Sequence, residues 1–372
     1  MTVPGHRTLP AAALVGVLAL TSACGSDNAL REGQNPPPAP EDVACFSGSL
    51  SAAGSSAQEN AMYTWVAGYQ LACADALVLY DSVGSGAGRS QFLESAVNFA
   101  GSDAALDEQE HERARERCAA GSPAVNIPGY VVPIALIFDL EGVDSLNLPP
   151  ETIARIFNQD ITRWNDPEIA EHNPGTELPD LRITPVSRAD DSGTTENFTA
   201  YLDAAAGGAW PHEPGGKWPL EPVEAAQGNS GIAEAVEAGR GTIGYVEASH
   251  TADMATVSVG VGGEFVDLSP ESAAHVVASS PERAGGPEHD HALELDYGTT
   301  EPGTYPIVLV TYEIACLRYD TSREAERVRA FLNYVLSKEG QEAASAETGS
   351  APLPADTRTK LRASVAQISG AG

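Results

Sequence analysis

The stretch SLSAAGSSAQENAMYTWVAGYQL, residues 49–71, decides the fold because it joins a strand, a glycine-serine turn and a helix without a break. Residues 49–53 are typical of the start of a strand, and 54–56 (GSS) form the turn. A helix is predicted over 57–71, where apolar residues such as Trp65 recur at helical spacing. A strand that enters a helix through a short turn is the repeating unit of α/β proteins.

Two further segments repeat this order of strand, turn and helix. The turn Gly84-Ser85-Gly86 follows a buried strand at 76–83, and the turn 191–194 (DSGT) lies between a strand at 183–186 and a helix at 195–202. The N-terminus of a helix has unpaired N–H groups and a partial positive charge, and it therefore binds anions. Helix capping alone explains any single turn of this kind. Three such turns, together with Arg188, predict an oxyanion site.

The remaining pattern continues the alternation of strands and helices. We expect helices at 89–98, 106–118, 149–157, 232–238 and 323–339, and strands at 99–101, 242–246 and 307–317, with a strongly apolar run at 125–140. Residues 281–304 are polar and rich in Gly and Pro, which predicts a long loop. Alternating elements indicate an α/β architecture with mostly parallel sheets.

Composition limits the classes of partner. The chain has 372 residues, enough for two domains, and its 52 acidic residues against 21 basic ones give a formal charge of −31. A nucleic-acid binder needs a basic surface, so this class is excluded. The same charge argues against binding to an anionic membrane surface.

The N-terminal region predicts export and anchoring. Arg7 precedes an apolar run at 9–23 that is too short to span a membrane and ends in small residues before Cys24. This ending is similar to a bacterial lipobox, so we expect a signal peptide at 1–23, a lipidated Cys24 and a Pro-rich tether over 24–45. Stable anchoring then requires more than one acyl chain. Ordinary secretion, with Cys24 removed or free, is the alternative.

The other four cysteines are Cys45, Cys73, Cys118 and Cys316, and four cysteines allow three pairings. In an oxidising compartment we expect disulfides, with four reduced thiols as the alternative. The helix that returns from the first turn brings Cys73 back to the start of the first strand, beside Cys45, within the Cα separation that a disulfide needs. The pair Cys118–Cys316 follows by elimination.

The sequence contains no complete motif of the enzyme classes considered. The glycines at 84–88 (GSGAG) do not have the G-x-G-x-x-G spacing of a dinucleotide site, and neither a G-x-S-x-G elbow nor a phosphate-binding P-loop motif occurs. His111 lies in a heavily charged helix, and 288–291 (EHDH) lies in the polar loop, so both are interpreted as solvent-exposed rather than as metal ligands. We therefore expect no catalytic residue, cofactor or metal.

An ordered series of motifs resembles the substrate-binding protein of the phosphate ABC transporter, the PstS family. The series comprises LSAAGSSAQENAMYTW (50–65), GSGAG (84–88), FAGSDAAL (99–106), IFNQDITRWNDPEIAEHNPG (156–175), SRADDSGTTENFTAYL (187–202), GNSGIAEAVEAGRGTIGYVEA (228–248) and GTYPIVLVTYEIA (303–315). The resemblance implies a type 2 periplasmic-binding-protein fold, in which two α/β lobes are joined by two crossover strands near 130–137 and 307–312. Lobe one would be 46–134 plus 309–372, and lobe two 135–308.

The resemblance also implies the ligand residues, carried over position by position. They are Ser56, Ala57, Ser85, Asp103, Arg188, Ser192, Gly193 and Thr194, with Asp190 paired to Arg188. Ser56 stands where the family has Thr, and Ala57 stands where the family has Phe and contributes its backbone N–H. Arg89 opens a helix beside the second turn and is interpreted as solvent-exposed.

The function implied is that of a monomeric, lipid-anchored receptor on the outer face of the cytoplasmic membrane, which delivers inorganic phosphate to an ABC transporter permease without a chemical step. Asp103 would select phosphate, because a carboxylate can accept the P–O–H proton that sulfate does not have. A receptor for sulfate or a phosphonate is the closest alternative. A secreted phosphate-ester hydrolase is the alternative from another class.

Overall fold

The computed structural model describes residues 43–371, which contain thirteen strands and eleven α-helices. The strands are β1 (Gly48–Gly54), β2 (Ala76–Asp81), β3 (Phe99–Ser102), β4 (Ala124–Phe138), β5 (Ser145–Leu148), β6 (Thr184–Arg188), β7 (Glu224–Ala226), β8 (Thr242–Glu247), β9 (Ala255–Val261), β10 (Glu264–Val266), β11 (Val308–Cys316), β12 (Arg318–Tyr319) and β13 (Ser369–Gly370). The helices are α1 (Glu59–Ala72), α2 (Ser85–Leu93), α3 (Glu108–Arg117), α4 (Pro150–Phe157), α5 (Pro167–Ala170), α6 (Gly193–Ala205), α7 (Gly228–Ala238), α8 (Pro270–Ser279), α9 (Ser322–Val335), α10 (Lys338–Thr348) and α11 (Ala355–Val365).

One large sheet organises the chain. Its main path runs β2-β1-β3-β11-β4-β8-β6-β7, and β9 branches from β4 to pair with β5 and β10. The long strands β4 and β11 lie side by side at the centre, and every residue of both is buried. These two strands join the two halves of the sheet, and they include most of the positions near 130–137 and 307–312 at which the family resemblance implied the crossovers.

The expectation of mostly parallel pairing is wrong at the centre of the sheet. Strands β1, β2 and β3 pair in parallel, and so do β6, β7 and β8. The strand β11, however, is antiparallel to both β3 and β4, and β4 is antiparallel to β8. The physical reason is topological, because β4 carries the chain out of the first lobe and β11 carries it back.

The parallel strands place the turns at common edges. In each lobe a strand ends and a helix begins, so that β1 leads to α1, β2 to α2, β6 to α6 and β7 to α7. The carboxyl ends of parallel strands lie at the same edge of a sheet, which is where open α/β sheets bind ligands. The fold therefore brings four helix N-termini towards one cleft.

Several helix limits differ from the sequence predictions. The helix α2 begins at Ser85 rather than Arg89, so the glycine-rich turn is itself the first helical turn. The predicted helix 323–339 is two helices, because α9 ends at Val335 and Ser337 caps a new helix by accepting a hydrogen bond from Gly340 N. A side-chain cap of this kind stabilises a new helix start after a break.

Each lobe has an aromatic core. In the first, the Tyr69 ring contacts Phe331 and Tyr334 with centroids 5.5 Å apart in both pairs. In the second, Phe198 stacks on Tyr245 at 4.5 Å. Buried aromatic rings supply large apolar areas, and both groups belong to one continuous cluster of buried apolar residues.

Two disulfides are present, and both pairings agree with the sequence predictions. The Cα atoms are 5.3 Å apart in Cys45–Cys73 and 5.5 Å apart in Cys118–Cys316. The signal peptide, Cys24 and the tether up to residue 42 lie outside the described residues. Among residues 43–371, the structure contains no helix with the length and apolar character required to cross a bilayer.

The polar segment 281–304 has no helix or strand, as predicted, but its centre is not solvated. Asp290 Oδ1 accepts hydrogen bonds from Asn126 N at 2.6 Å and Asn126 Nδ2 at 2.7 Å. His291 is 6% exposed and its ring bonds to Glu282 and Ser364. These contacts tie the loop to β4 and α11, so the solvent-exposed interpretation is wrong for these two residues. Within the described chain, no group of three potential metal ligands occurs.

Candidate anion-binding site

Four helix N-termini supply the walls of the site. Ser56 lies just before α1, Ser85 begins α2, Thr194 is in the first turn of α6 and Asn229 is in the first turn of α7. All four side chains are buried. Each helix start contributes unpaired N–H groups and a partial positive charge, and together they favour an anion.

Arg188 is the cation of the site. It ends β6 and is 3% exposed, and its guanidinium donates from Nε to Asp190 Oδ1 at 2.8 Å and from Nη2 to Asp190 Oδ2 at 2.5 Å. Partial burial disfavours the charged form of Asp190, but the hydrogen bonds and charge of Arg188 outweigh it and lower the pKa of that carboxyl. The bidentate pair fixes the guanidinium plane.

Ser56 joins the two lobes through a single oxygen. Its Oγ accepts from Arg188 Nη2 at 3.1 Å, from Asn229 N at 3.2 Å and from Asn229 Nδ2 at 3.0 Å. A hydroxyl has two acceptor lone pairs and one proton. Because three donors compete for the lone pairs, the proton is directed away from them, and Ser56 is left as a donor for an acceptor such as an anion.

Asp103 is the buried acidic residue of the site. Its Oδ1 accepts from Thr311 Oγ1 at 2.8 Å, and its Oδ2 lies 3.4 Å from Ser85 Oγ and 3.5 Å from Thr194 Oγ1. Burial raises the pKa of Asp103, although the hydroxyls of Ser55 and Thr311 and the charge of Arg188 oppose this shift. In its ionised form this carboxylate only accepts hydrogen bonds, which suits a ligand that carries a proton.

The DSGT turn fits against the first lobe with no room for a larger residue. A Cβ added to Gly193 would lie 2.6 Å from Ser85 Oγ and 2.7 Å from Asp103 Cβ. Ser192 caps α6, because its Oγ accepts from Thr195 N at 3.2 Å. Its hydroxyl proton is not used by that bond.

Backbone contacts also cross the cleft. Gly86 N donates to Asp191 O at 3.1 Å. Gly84 has a φ of +94°, and a Cβ there would lie 2.5 Å from Asp190 Oδ2. The glycine-rich turn therefore allows the first lobe to approach the Arg188–Asp190 pair closely.

Hydrogen bonds link five of the eight proposed ligand residues, namely Ser56, Ser85, Asp103, Arg188 and Thr194. Gly193 packs against Ser85 and Asp103, Ser192 caps α6, and Ala57 differs in one respect. Its backbone N–H donates to Ser55 Oγ at 2.9 Å. An anion that used this N–H would share it with the serine hydroxyl. The amide is nevertheless at the start of α1, next to Ser56.

Sequence reasoning missed Asn229 and Thr311. The first had a signal, because Gly228-Asn229 follows a strand and opens a helix in the same way as the other turns. Its Oδ1 accepts from Glu247 N at 2.8 Å, which orients the amide so that Nδ2 faces Ser56 and Thr194. Thr311 had no such signal, since it lies in the middle of β11 and reaches Asp103 only because that strand pairs with β3.

The interpretation of Arg89 as solvent-exposed is wrong. Its side chain is 12% exposed, and Nε donates to Glu110 Oε1 at 2.9 Å. Its Nη1 also donates to Ser102 Oγ at 3.0 Å, one residue before Asp103. Because α2 begins four residues earlier than expected, Arg89 lies on the face of this helix that packs on β3 and α3.

Comparisons with known proteins show what this chain is similar to. A family profile described as PBP superfamily domain matches residues 39–339. The chain is 39% identical over 369 residues to Phosphate-binding protein PstS 3 of Mycobacterium tuberculosis, covering 96% of this chain and 98% of the relative. It is 31% identical over 292 residues to Phosphate-binding protein PstS of Haemophilus influenzae, covering 77% of this chain and 83% of that protein.

Solved structures share the fold at lower identity. A phosphate-binding protein from Stenotrophomonas maltophilia matches with a TM-score of 0.68 and 22% identity, covering 85% of this chain and 94% of that one. The high-affinity periplasmic phosphate-binding protein PfluDING, solved with bound phosphate, matches with a TM-score of 0.64 and 20% identity, covering 85% and 93% of the two chains. The fold is thus the two-lobe periplasmic-binding fold, and the sequence similarity shows that the chain belongs to the PstS family of phosphate-binding proteins.

Proposed function

We propose that this protein binds inorganic phosphate outside the cytoplasm and delivers it to the permease of an ABC transporter. The observation that carries the proposal is the Arg188–Asp190 pair, which lies between four helix N-termini and faces the buried Asp103. One fixed cation, several hydroxyl and N–H donors and one acceptor match the charges and protons of HPO4²⁻ and H2PO4⁻. Relatives that carry the name PstS support the same ligand.

The ligand set of the proposal combines both lobes. Ser56, Ala57, Ser85 and Asp103 come from lobe one, which we assign to 46–134 plus 309–372. Arg188, Ser192, Gly193 and Thr194 come from lobe two, assigned to 135–308, and we add Asn229 to this group because its amide touches both Ser56 and Thr194. Binding then requires the lobes to meet, and their meeting excludes water from the anion.

In this proposal the protein binds and releases phosphate without a chemical step, so it is a receptor rather than an enzyme. Within each lobe the helix dipoles and Arg188 are held in place before the ligand arrives, so the rearrangement on binding is the closure of the lobes. The formal charge of −31 does not oppose anion binding. Exposed charges are screened over about 8–10 Å at physiological salt, whereas the buried donors are not.

The location follows from the N-terminal sequence. We propose that Cys24 is lipidated and holds a monomeric receptor at the outer face of the cytoplasmic membrane. Cys24→Ser should release the protein into the medium, while the wild type should enter the detergent phase of a two-phase extraction. Wild-type protein in the aqueous phase would contradict the anchor.

Isothermal titration calorimetry tests the ligand. We expect one phosphate per chain, and no heat from sulfate at concentrations at which phosphate saturates the site. Equal affinity for sulfate would contradict the assignment and favour a general oxyanion receptor. Turnover of a chromogenic phosphate ester by the same preparation would contradict the receptor role.

A further inference from the structure

Five arginines gather on one surface formed by two C-terminal helices. Helix α9 carries three of them and α11 carries two, and we call this surface the arginine face: Arg323, Arg327, Arg329, Arg358 and Arg362. They line two adjacent hollows of about 420 and 570 Å³ that share Ala44, Ala330 and Asn333. Lys338 lines the second hollow, and the acidic residues Glu326 and Glu339 are also present.

None of the five arginines forms an ion pair with an acidic residue among residues 43–371, although the chain has 52 acidic side chains for 21 basic ones. Three of them bond to backbone carbonyl oxygens instead. Arg327 donates to Ser47 O and Ser49 O, each at 2.9 Å, Arg329 donates to Ile368 O and Arg358 to Leu353 O. Carbonyls position a guanidinium without neutralising it, so these five arginines carry no direct acidic partner among the described residues, whereas Lys338 pairs with Glu342 at 3.6 Å.

The arginine face surrounds the point where the chain enters the described structure. Residues 43 and 44 line one hollow, and 44–47 line the other. The segment from Cys24 to Cys45 can span at most about 70 Å even when fully extended. If Cys24 carries the lipid, this face is the one at which the chain leaves the described structure towards the bilayer.

We propose that the arginine face docks on the anionic phospholipid headgroups of the membrane that holds the anchor. The proposal rests on the proposed lipidation of Cys24. Guanidinium groups bind phosphate oxygens through paired N–H donors, and basic clusters beside a lipid anchor strengthen membrane binding.

The net charge of the chain does not prevent this contact. A formal charge of −31 argues against membrane binding only when it is treated as spread evenly. At physiological salt the Debye length is about 8 Å, so a headgroup responds mainly to the charges of the face that it touches. The proposal therefore differs from the expectation that net charge alone gives for an anionic membrane.

The test uses the full mature chain with Cys24→Ser, so that the acyl chains do not contribute. Co-sedimentation with vesicles rich in phosphatidylglycerol is compared with neutral phosphatidylcholine vesicles. We expect binding at least about tenfold tighter to the anionic vesicles, lost at high salt and unaffected by added inorganic phosphate. Equal binding to both vesicles, or release by inorganic phosphate, would overturn the proposal.

Matched variants assign the effect to this face. Arg323, Lys338 and Arg362 are exposed, and changing all three to Gln should weaken vesicle binding by about tenfold or more. Arg115, Arg163 and Arg240, which are exposed elsewhere, provide a control with the same charge change and should leave binding unchanged. Equal losses in both variants would show that net charge alone matters and would overturn the proposal.

Phosphate titration and thermal unfolding accompany each variant. None of the changed residues belongs to the proposed phosphate site, so phosphate affinity should stay the same in both sets. Absence of phosphate binding in every protein would count against the proposed function and would not alter the vesicle result. Vesicle binding that fails while phosphate still binds would count against the arginine face alone.

Discussion

Ser56 Oγ accepts a hydrogen bond from Arg188 Nη2 at 3.1 Å, and this bond joins the turn before α1 to the end of β6 across the cleft. The two residues are 132 positions apart in the chain. Because Asn229 donates to the same oxygen, lobe two provides all the donors that surround this hydroxyl. When the lobes close, these donors occupy the lone pairs of Ser56 Oγ, and the same movement therefore directs the Ser56 proton towards a ligand.

Arg188→Ala should cause the largest loss of phosphate affinity of any single change. It removes the cation and leaves Asp190 as an unpaired, partly buried carboxylate, so we expect a cost of about 2–5 kcal/mol. Arg188→Lys should lose less, because it keeps the charge but not the paired donors. Calorimetry measures both, with the exposed Arg163→Ala as control. A tenfold loss or less for Arg188→Ala would place the cation outside the site.

Asp103→Asn should reduce discrimination against sulfate. The carboxylate accepts a P–O–H proton, whereas the amide of Asn can donate to an unprotonated oxygen. A site that requires a proton rejects a ligand without it by roughly 10⁴–10⁵ fold. Sulfate competition against bound phosphate measures the change. If wild type and variant exclude sulfate equally, selectivity arises elsewhere.

Asn229→Ala should weaken phosphate binding. It removes a donor to Ser56 and Thr194, and it leaves Glu247 N without its side-chain acceptor, so we expect a cost of about 1–3 kcal/mol. Ser230→Ala changes the exposed next residue of the same helix and should have no effect. Unchanged affinity in Asn229→Ala would remove this residue from the ligand set.

Glu313→Gln should change the pH dependence of stability. Glu313 is 1% exposed on β11, and neither of its carboxyl oxygens has a hydrogen-bond partner. Burial raises its pKa from 4.5 to about 8, although Gln58 opposes this shift. The unpaired Gln58 Oε1 is a suitable acceptor for the proton of a neutral Glu313.

The sign of this effect follows from proton counting. Between the unfolded pKa and the folded pKa, the folded state holds a proton that the unfolded state has lost, so stability falls as pH rises from about 4.5 to about 8. Gln cannot ionise, so the variant should lose less stability over this interval. Denaturant unfolding at several pH values measures the slope. Identical slopes in wild type and variant would show that Glu313 is ionised in the folded protein.

The two disulfides should differ in their contribution to stability. Cys118–Cys316 closes a loop with a sequence separation of 198, against 28 for Cys45–Cys73. In the chain-entropy account, their removal costs about 5 and about 3.5 kcal/mol respectively. Denaturant unfolding of the paired Cys→Ser variants compares them. A larger loss for the Cys45 and Cys73 pair would contradict the loop-length argument.

Local sequence predicted the parts of the site that depend on local geometry. A glycine or serine turn between a strand and a helix is encoded by adjacent residues, so Ser56, Ser85 and the DSGT turn could be identified in advance. The surroundings of Arg89 and Thr311 depend on which helix and strand pack beside them. Such contacts have no short-range pattern, and this is why Arg89 was assigned wrongly and Thr311 was missed.

In the fold, too, the features set by local sequence were predicted, and those set by long-range contacts were not. Alternation of elements predicted the α/β class, and the family resemblance implied a crossover strand near 130–137, which lies inside β4. The antiparallel centre was not predicted, because strand direction in a sheet depends on the whole path of the chain. The break between α9 and α10 was missed since the amphipathic pattern continues through Ser337, which acts as a cap rather than as a helical residue.

The pairing of β4 with β11 sets an order of assembly. Residues 139–307 lie between these strands in the sequence. The half of the fold that holds Arg188 and Asn229 is therefore one continuous segment, inserted between the two segments that form the half with Ser56. Synthesis runs from the N-terminus, and this inserted segment is therefore complete before β11 exists. The half that holds Arg188 can fold first. The half that holds Ser56 can complete its sheet only after β11, which pairs with β3, has been synthesised.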